Sequence, residues 1–263
     1  MRYVLMSRRT FCTLLGFALT LGTAGRSTAS PYKVTVLDGN GGSLIVQSGQ
    51  SLDNLGQVAG TWLQDPGGNG AGGEHPYFYD PTEGGKVSLP GLISPSGQDP
   101  GSYSYKGDFL SLNDSGQAVG WNAQGTILYD SKTGQVTNLP GPTGLITDSG
   151  RVYGSGYQLV GWAPHLYSSQ NGAVQDLGTP SAATGVSVMA SNNSGQVLVN
   201  AFMGSGQGGA FLYSGGKWTA LPNFVAAAMN AQGALAGSTS TNALGNAQAA
   251  VISSSGALYS AGD

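Results

Sequence analysis

The sequence predicts an all-β fold built from repeats, on three observations. Glycine is abundant, 45 of 263 residues, while charged residues make up only 9%. Apolar runs after residue 30 are short, rich in Val, Leu, Phe and Tyr, and broken by Gly, Asn, Asp or Pro, which suits strands and turns rather than amphipathic helices. A polar turn ending in glycine recurs five times. With 40% hydrophobic residues, the composition is that of a packed domain whose glycines serve turns, not of a low-complexity chain.

The five turns read SLDNLGQVAG from Ser51, SLNDSGQAVG from Ser111, LITDSGRVYG from Leu145, ASNNSGQVLV from Ala190 and MNAQGALAG from Met229. Their glycines are Gly56, Gly116, Gly150, Gly195 and Gly233, at spacings of 60, 34, 45 and 38 residues. A period near 40 with variable loops is the mark of a repeat architecture. Asn113-Asp114-Ser115-Gly116 suits a type I turn followed by a left-handed glycine, the three-residue hairpin loop with a bulge. The Asn side chain bonds the backbone ahead of it, and the glycine takes positive φ without steric cost.

A second hairpin follows each first one. Its rising strands are HPYFYD (75–80), GTILYD (125–130), APHLYS (163–168), GAFLYS (209–214) and AAVISS (249–254). A glycine turn and a last strand complete each unit, as in GGKVSLPG, TGQVTNLPG and GGKWTALPN. Four short antiparallel strands per repeat are what a β-propeller blade requires. Each blade has two faces to cover, so the units are stable only when stacked. The prediction is one β-propeller domain over residues 30–263, with five blades at about 32–91, 92–142, 143–180, 181–223 and 224–263. Residues 92–110 are an insertion that lengthens the first spacing. Residues 32–37, YKVTVL, read as a strand without a blade of its own, expected to pair with the C-terminal blade and remove two sheet edges, either replacing that blade's own fourth strand, Ala257–Ser260, or lying outside it.

The unit as a whole resembles the HAF family of bacterial extracellular repeats. The resemblance rests on Leu112-Asn113-Asp114-Ser115-Gly116-Gln117-Ala118-Val119-Gly120, Gly209-Ala210-Phe211-Leu212-Tyr213 and Val174-Gln175-Asp176-Leu177-Gly178, and covers about residues 32 to 260. It implies an exported, propeller-like protein. The histidine of the family pattern falls only at His75; Gly125, Ala163, Gly209 and Ala249 stand at the matching positions, and His165 stands where the pattern has Phe. The resemblance therefore brings no catalytic residue.

Residues 1–29 read as a signal peptide: basic residues, an apolar run of about 14 residues, then small residues. Ser7-Arg8-Arg9-Thr10-Phe11 resembles the twin-arginine export motif, and cleavage is expected after Ala29. The expected location is periplasmic or extracellular, with no transmembrane span in the mature chain. Four of the ten basic residues and the single cysteine, Cys12, lie in this leader. The remaining six basic and thirteen acidic residues give net charge −7, which disfavours nucleic acid and anionic membranes as partners. Without Cys12 there is no disulfide, thiolate nucleophile or Cys-ligated metal.

Candidate sites are few. Trp62, Trp121 and Trp162 each follow a return strand; exposed, they would stack on sugar rings or other flat apolar ligands, and buried, they would wedge between blades. A carboxylate pair for glycoside hydrolysis would draw on Glu74 and Glu83, but Asp80 and Glu83 flank a Pro-Thr turn and read as loop acids. A channel site built from Asp108, Asp148 and Asp176 is the enzyme alternative. A sialidase needs an arginine cluster, and the mature chain has only Arg151. Asp38-Gly39-Asn40 and the Asn/Asp turns offer oxygen ligands to calcium, but none has a full loop signature. No other cofactor or metal is expected. His75 and His165 make no zinc set. The sequence thus predicts a binding or surface-interaction module, for a polysaccharide or a protein partner, ahead of a hydrolase or a structural envelope protein.

Overall fold

The computed structural model describes residues 4–5, 35–36, 43–45, 51–63, 74–82, 85–88, 107–122, 125–156, 164–204, 208–239 and 247–260. The insertion at 92–106, Glu83, Trp162 and nearly all of the leader lie outside these. Every element described is a strand. After a short pair, β1 (Val4–Leu5) with β2 (Thr35–Val36), the chain forms five four-stranded antiparallel sheets.

The first sheet is β3 (Ser43–Ile45), β4 (Val58–Leu63), β5 (Glu74–Asp80) and β6 (Gly85–Ser88). The second is β7 (Asp108–Leu112), β8 (Gln117–Asn122), β9 (Gly125–Asp130) and β10 (Gln135–Leu139). The third is β11 (Gly144–Ile146), β12 (Val152–Gly156), β13 (His165–Gln170) and β14 (Ala173–Gly178). The fourth is β15 (Ala183–Ser191), β16 (Val197–Met203), β17 (Gly209–Ser214) and β18 (Lys217–Leu221). The fifth is β19 (Phe224–Met229), β20 (Leu235–Thr239), β21 (Gln248–Ile252) and β22 (Leu258–Ser260). In each sheet the strands lie in chain order.

The chain forms two compact units, residues 1–123 with 130–133, and residues 124–129 with 134–263. Of residues 32–37, expected to pair with the C-terminal blade, only Thr35–Val36 are described. β2 pairs with β1, and the fifth sheet takes its fourth strand, β22, from its own repeat. The C-terminal segment Leu258–Ser260 follows a complete glycine turn of its own, closed by Gly256 N–H to Ser253 C=O, so it is already in place as the edge strand.

All five first hairpins close as their residues demand. The glycine N–H donates to the carbonyl three residues back, at 2.9 to 3.4 Å, and the glycines have φ between 75° and 84°. The first turn residue binds the backbone ahead. Asn113 Oδ1 accepts from Ser115 and Gln117 N–H, Asn192 Oδ1 from Ser194 and Gln196, and Asn230 Oδ1 from Gln232 and Ala234. The turn glycines carry a second constraint that local sequence does not announce. A Cβ on Gly233 would lie 2.6 Å from Gln196 Oε1, and one on Gly116 would lie 3.2 Å from Gln57 Oε1 and overlap Ser131 Oγ. Each of these two turns is thus pressed against the start of the return strand of a neighbouring sheet.

Both faces of the fourth sheet are covered, which is why its strands do not alternate apolar with polar. β16 illustrates this. Val197, Val199 and Ala201 pack with Tyr153, Leu166 and Val186, while Leu198 packs with Ala190, Ala210, Phe224, Ala226, Leu235 and Ala250. The first strands β7 and β11 are the most buried and the fourth strands, β10, β14 and β18, the most exposed. Bulges at Leu110, Met189 and Ala227 interrupt the first-strand register opposite β8, β16 and β20.

Candidate functional site

The acids and amides that composition offered as ligands turn out to join sheets. At the second turn position, Asn54 N–H donates to Asp114 Oδ1 at 3.0 Å and Asn54 Nδ2 donates to Asp114 Oδ2. Asp148 N–H donates to Asn193 Oδ1 at 2.8 Å, and Asn193 Nδ2 returns a bond to Asp148 Oδ2. The first and second turns, and the third and fourth, are therefore each clasped by an amide facing a carboxylate. Asn193→Asp would set two carboxylates against each other. It is expected to destabilise the fold by about 1 kcal/mol at pH 7 and less in high salt, read from urea unfolding midpoints.

Five residues beyond the turn glycine, a polar side chain reaches the next sheet. The Thr61 hydroxyl donates to buried Asp108 Oδ1, and Asn200 bonds Ala226 twice, accepting its N–H at 3.0 Å and donating to its C=O at 3.1 Å. Asp108 is thus a buried strand residue, paired across the ladder with Trp121. Asp148 sits in the β11–β12 turn and Asp176 on β14, the opposite edge of the same sheet. The three acids named for a channel thus have three different local roles. Asp80 accepts from Gln57 Nε2 and caps Thr82.

The tryptophans are not equivalents. Trp62 lies six residues after its turn glycine on β4, opposite His75, and Trp121 lies five after its own on β8. The residue in the first sheet that matches Trp121 is Thr61. Trp121 is half-buried, and Trp162, twelve residues after Gly150, lies outside the described residues. Counting from the glycine rather than from the preceding Gly60, Gly120 and Gly161 would have exposed the mismatch.

Two features were not anticipated. His165 Nδ1 lies 2.9 Å from Asp176 Oδ2. Asp176 Oδ1 is held by Gly178 N–H at 2.7 Å, and Tyr167 stacks on the imidazole at 6.2 Å. A carboxylate at Nδ1 fixes the ring's orientation, as in general bases and metal ligands. Among the described residues, however, no three His, Cys, Asp or Glu side chains converge on a metal position. The calcium expectation falls partly on Asp38-Gly39-Asn40, outside the described residues.

The second feature is the other face of the fifth sheet, which carries exposed apolar side chains. Phe224, Ala226, Leu235 and Ala250 are buried on one side. The other side carries the cross-strand rows Val225–Ser238–Ala249 and Ala236–Val251–Tyr259. Val225 is 49% and Tyr259 52% exposed, and Ala249 is exposed too. Its exposed side chains are apolar, with Tyr259 as the one aromatic in these rows.

Among the described residues no helix is long and apolar enough to cross a membrane. No family model and no curated protein matches the chain. Solved structures do. The β-propeller domain of the Trilobed protease from Pyrococcus furiosus, described as having an open velcro topology, superposes with a TM-score of 0.55 at 9% identity, over 88% of this chain and 71% of that one. TolB from Acinetobacter baumannii (TM-score 0.47, 14% identity, 96% of this chain and 60% of that one) and Porphyromonas gingivalis dipeptidyl peptidase 4 (0.45, 11%, 97% and 32%) also match. Five four-stranded antiparallel sheets, one after another in chain order, together with the likeness to the Pyrococcus domain make the fold that of a β-propeller.

Proposed function

We propose that the chain is an exported interaction module that binds a polysaccharide or a protein through the exposed apolar side chains of its fifth sheet, Val225 and Tyr259 among them. One observation carries this reading: Val225 and Tyr259 are about half exposed on one side of a sheet whose other side buries Phe224, Ala226, Leu235 and Ala250. Contiguous exposed apolar surface marks interaction sites. A tyrosine beside small residues offers a ring to a sugar or a flat apolar contact to a protein. The acids support the same reading from the other side, since Asp53, Asp80, Asp108, Asp114 and Asp148 all hold turns and sheets together. The twin-arginine-like leader supports export in the folded state. The hydrolase reading has a single observation in its favour, the His165–Asp176 pair.

A glycan array probed with residues 30–263 tests the proposal. Binding is expected, and Tyr259→Ala and Val225→Asp should each weaken it at least tenfold while leaving the thermal melt within about 2 °C, as for other exposed sites. An array silent for the intact chain removes the polysaccharide partner. Binding that survives both substitutions moves the contact off this face.

A further inference from the structure

The first turn departs from the second and fourth by one atom. In the second and fourth turns, the leading Asn uses Oδ1 for two backbone N–H groups and donates Nδ2 to the glutamine after the glycine: Asn113 to Gln117 Oε1 at 3.0 Å, Asn192 to Gln196 Oε1 at 2.8 Å. In the first turn the leading residue is Asp53, fully buried. Its Oδ1 accepts from Leu55 and Gln57 N–H, both at 2.8 Å, as an Asn would. Its Oδ2 stands where the amide nitrogen should be, and both Asp53 Oδ2 and Gln57 Oε1 are buried without a partner. Two acceptors with no hydrogen between them are costly in a place where the sister turns have a bond.

We propose that Asp53 carries a proton on Oδ2 and donates it to Gln57 Oε1, so that the first blade is held by a carboxylic acid standing in for an asparagine and loosens when that proton is lost. Gln57 cannot resolve the conflict by rotating its amide, because Nε2 is already given to Asp80. The other charged groups facing the turn do not help the anion. Asp114, across the clasp with Asn54, is itself a carboxylate. The β9–β10 turn reaches Gly116 through Ser131 N–H and brings Asp130 and Lys132, with Lys132 at the exposed surface. Burial pushes the Asp53 carboxyl up to about 6, against the pull of the Gln57 and Leu55 N–H bonds, and Asp114 adds to the rise.

The sign follows from linkage. A carboxyl with a folded pKa above its unfolded value binds protons more tightly in the folded state. Its contribution is complete below the unfolded value of 3.8 and is lost as pH rises through about 6. A shift of that size changes the folded-to-unfolded ratio about a hundredfold across the window.

Urea unfolding of the mature chain between pH 4 and 8 tests this, with Asp53→Asn, Asp80→Asn and Asn192→Asp beside it. Asp53→Asn should be more stable than the parent at pH 7.5 and lose the Asp53 part of the slope. Asn192→Asp should install a second loss of the same sign in the fourth turn, because it recreates the two facing acceptors beside Gln196. Carbon-13 NMR should find the Asp53 carboxyl titrating near 6. An ordinary titration near the unfolded value, an Asp53→Asn variant no more stable than the parent at pH 7.5, or a slope that Asp80→Asn removes and Asp53→Asn does not, overturns the proposal.

Discussion

Gly120→Ala should destabilise the protein on the order of 4 kcal/mol or more, the exceptional end of single substitutions. Nothing about the glycine's turn propensity is involved, since Gly120 is a strand residue of β8. A Cβ there would overlap the Asp108 carbonyl oxygen and come within 2.8 Å of both that carbonyl carbon and Phe109 Cδ1. Asp108 and Phe109 belong to β7, just before the bulge at Leu110, and Phe109 is completely buried opposite Gly120. The ring fills the space the glycine vacates, and the backbone carbonyl has nowhere to retreat. The fifth sheet repeats the arrangement: a Cβ on Gly237 would overlap the Val225 carbonyl oxygen and come 2.8 Å from Phe224 Cζ. In the fourth sheet the matching residue is Val199, opposite Val188, where no aromatic claims the space. Gly209→Ala is the control, because its Cβ meets only Phe211 Cε2, at an ordinary 3.5 Å. It should stay within about 0.5 kcal/mol of the parent in urea unfolding. Adding Phe109→Ala to Gly120→Ala should not rescue it, since the overlapping atom is backbone. A rescue would show that the ring, not the carbonyl, sets the limit.

The residues that proved legible in sequence are those whose conformation is decided locally. The turn Asn113-Asp114-Ser115-Gly116 specifies its own geometry through a side-chain bond two and four residues ahead and a glycine at positive φ. Five such turns, each followed by a second hairpin, therefore gave strand number and order. The clasp between turns was not legible, because Asn54 and Asp114 are 60 residues apart and each looks sufficient as a turn residue alone. A signal was present all the same: amide meets acid in Asn54/Asp114 and again in Asp148/Asn193. The bulges at Leu110, Met189 and Ala227 left no trace in the apolar pattern, since both faces of these sheets carry small or apolar side chains and a one-residue slip leaves that pattern unchanged. The same loss of alternation hid the register difference between Trp62 and Trp121. As for a site, acids and histidines could be counted in sequence, but their commitments depend on sheets packing against one another, which no local pattern records.

Leu198→Ala should cost about 3 kcal/mol, and it tests how the sheets share their stability. Leu198 is completely buried on the side of β16 that meets Phe224, Ala226 and Leu235. Leu166, on β13, is equally buried in the other cluster, with Tyr153, Val186, Val197 and Val199. The two leucines share no cluster, although Val197, Leu198 and Val199 are consecutive in one strand. A repeat protein of this kind draws its stability from each sheet-to-sheet interface as a nearly separate sum. Leu166→Ala should therefore cost a similar amount, and the double variant should lose both to within about 0.5 kcal/mol of additivity. Leu258→Ala, at an exposed position of the last strand, should change little. Strong coupling between the two buried sites would mean that β16 moves as one body and carries strain from one face to the other. In that case a defect at one interface would weaken its neighbour, and the interfaces could no longer be treated one at a time.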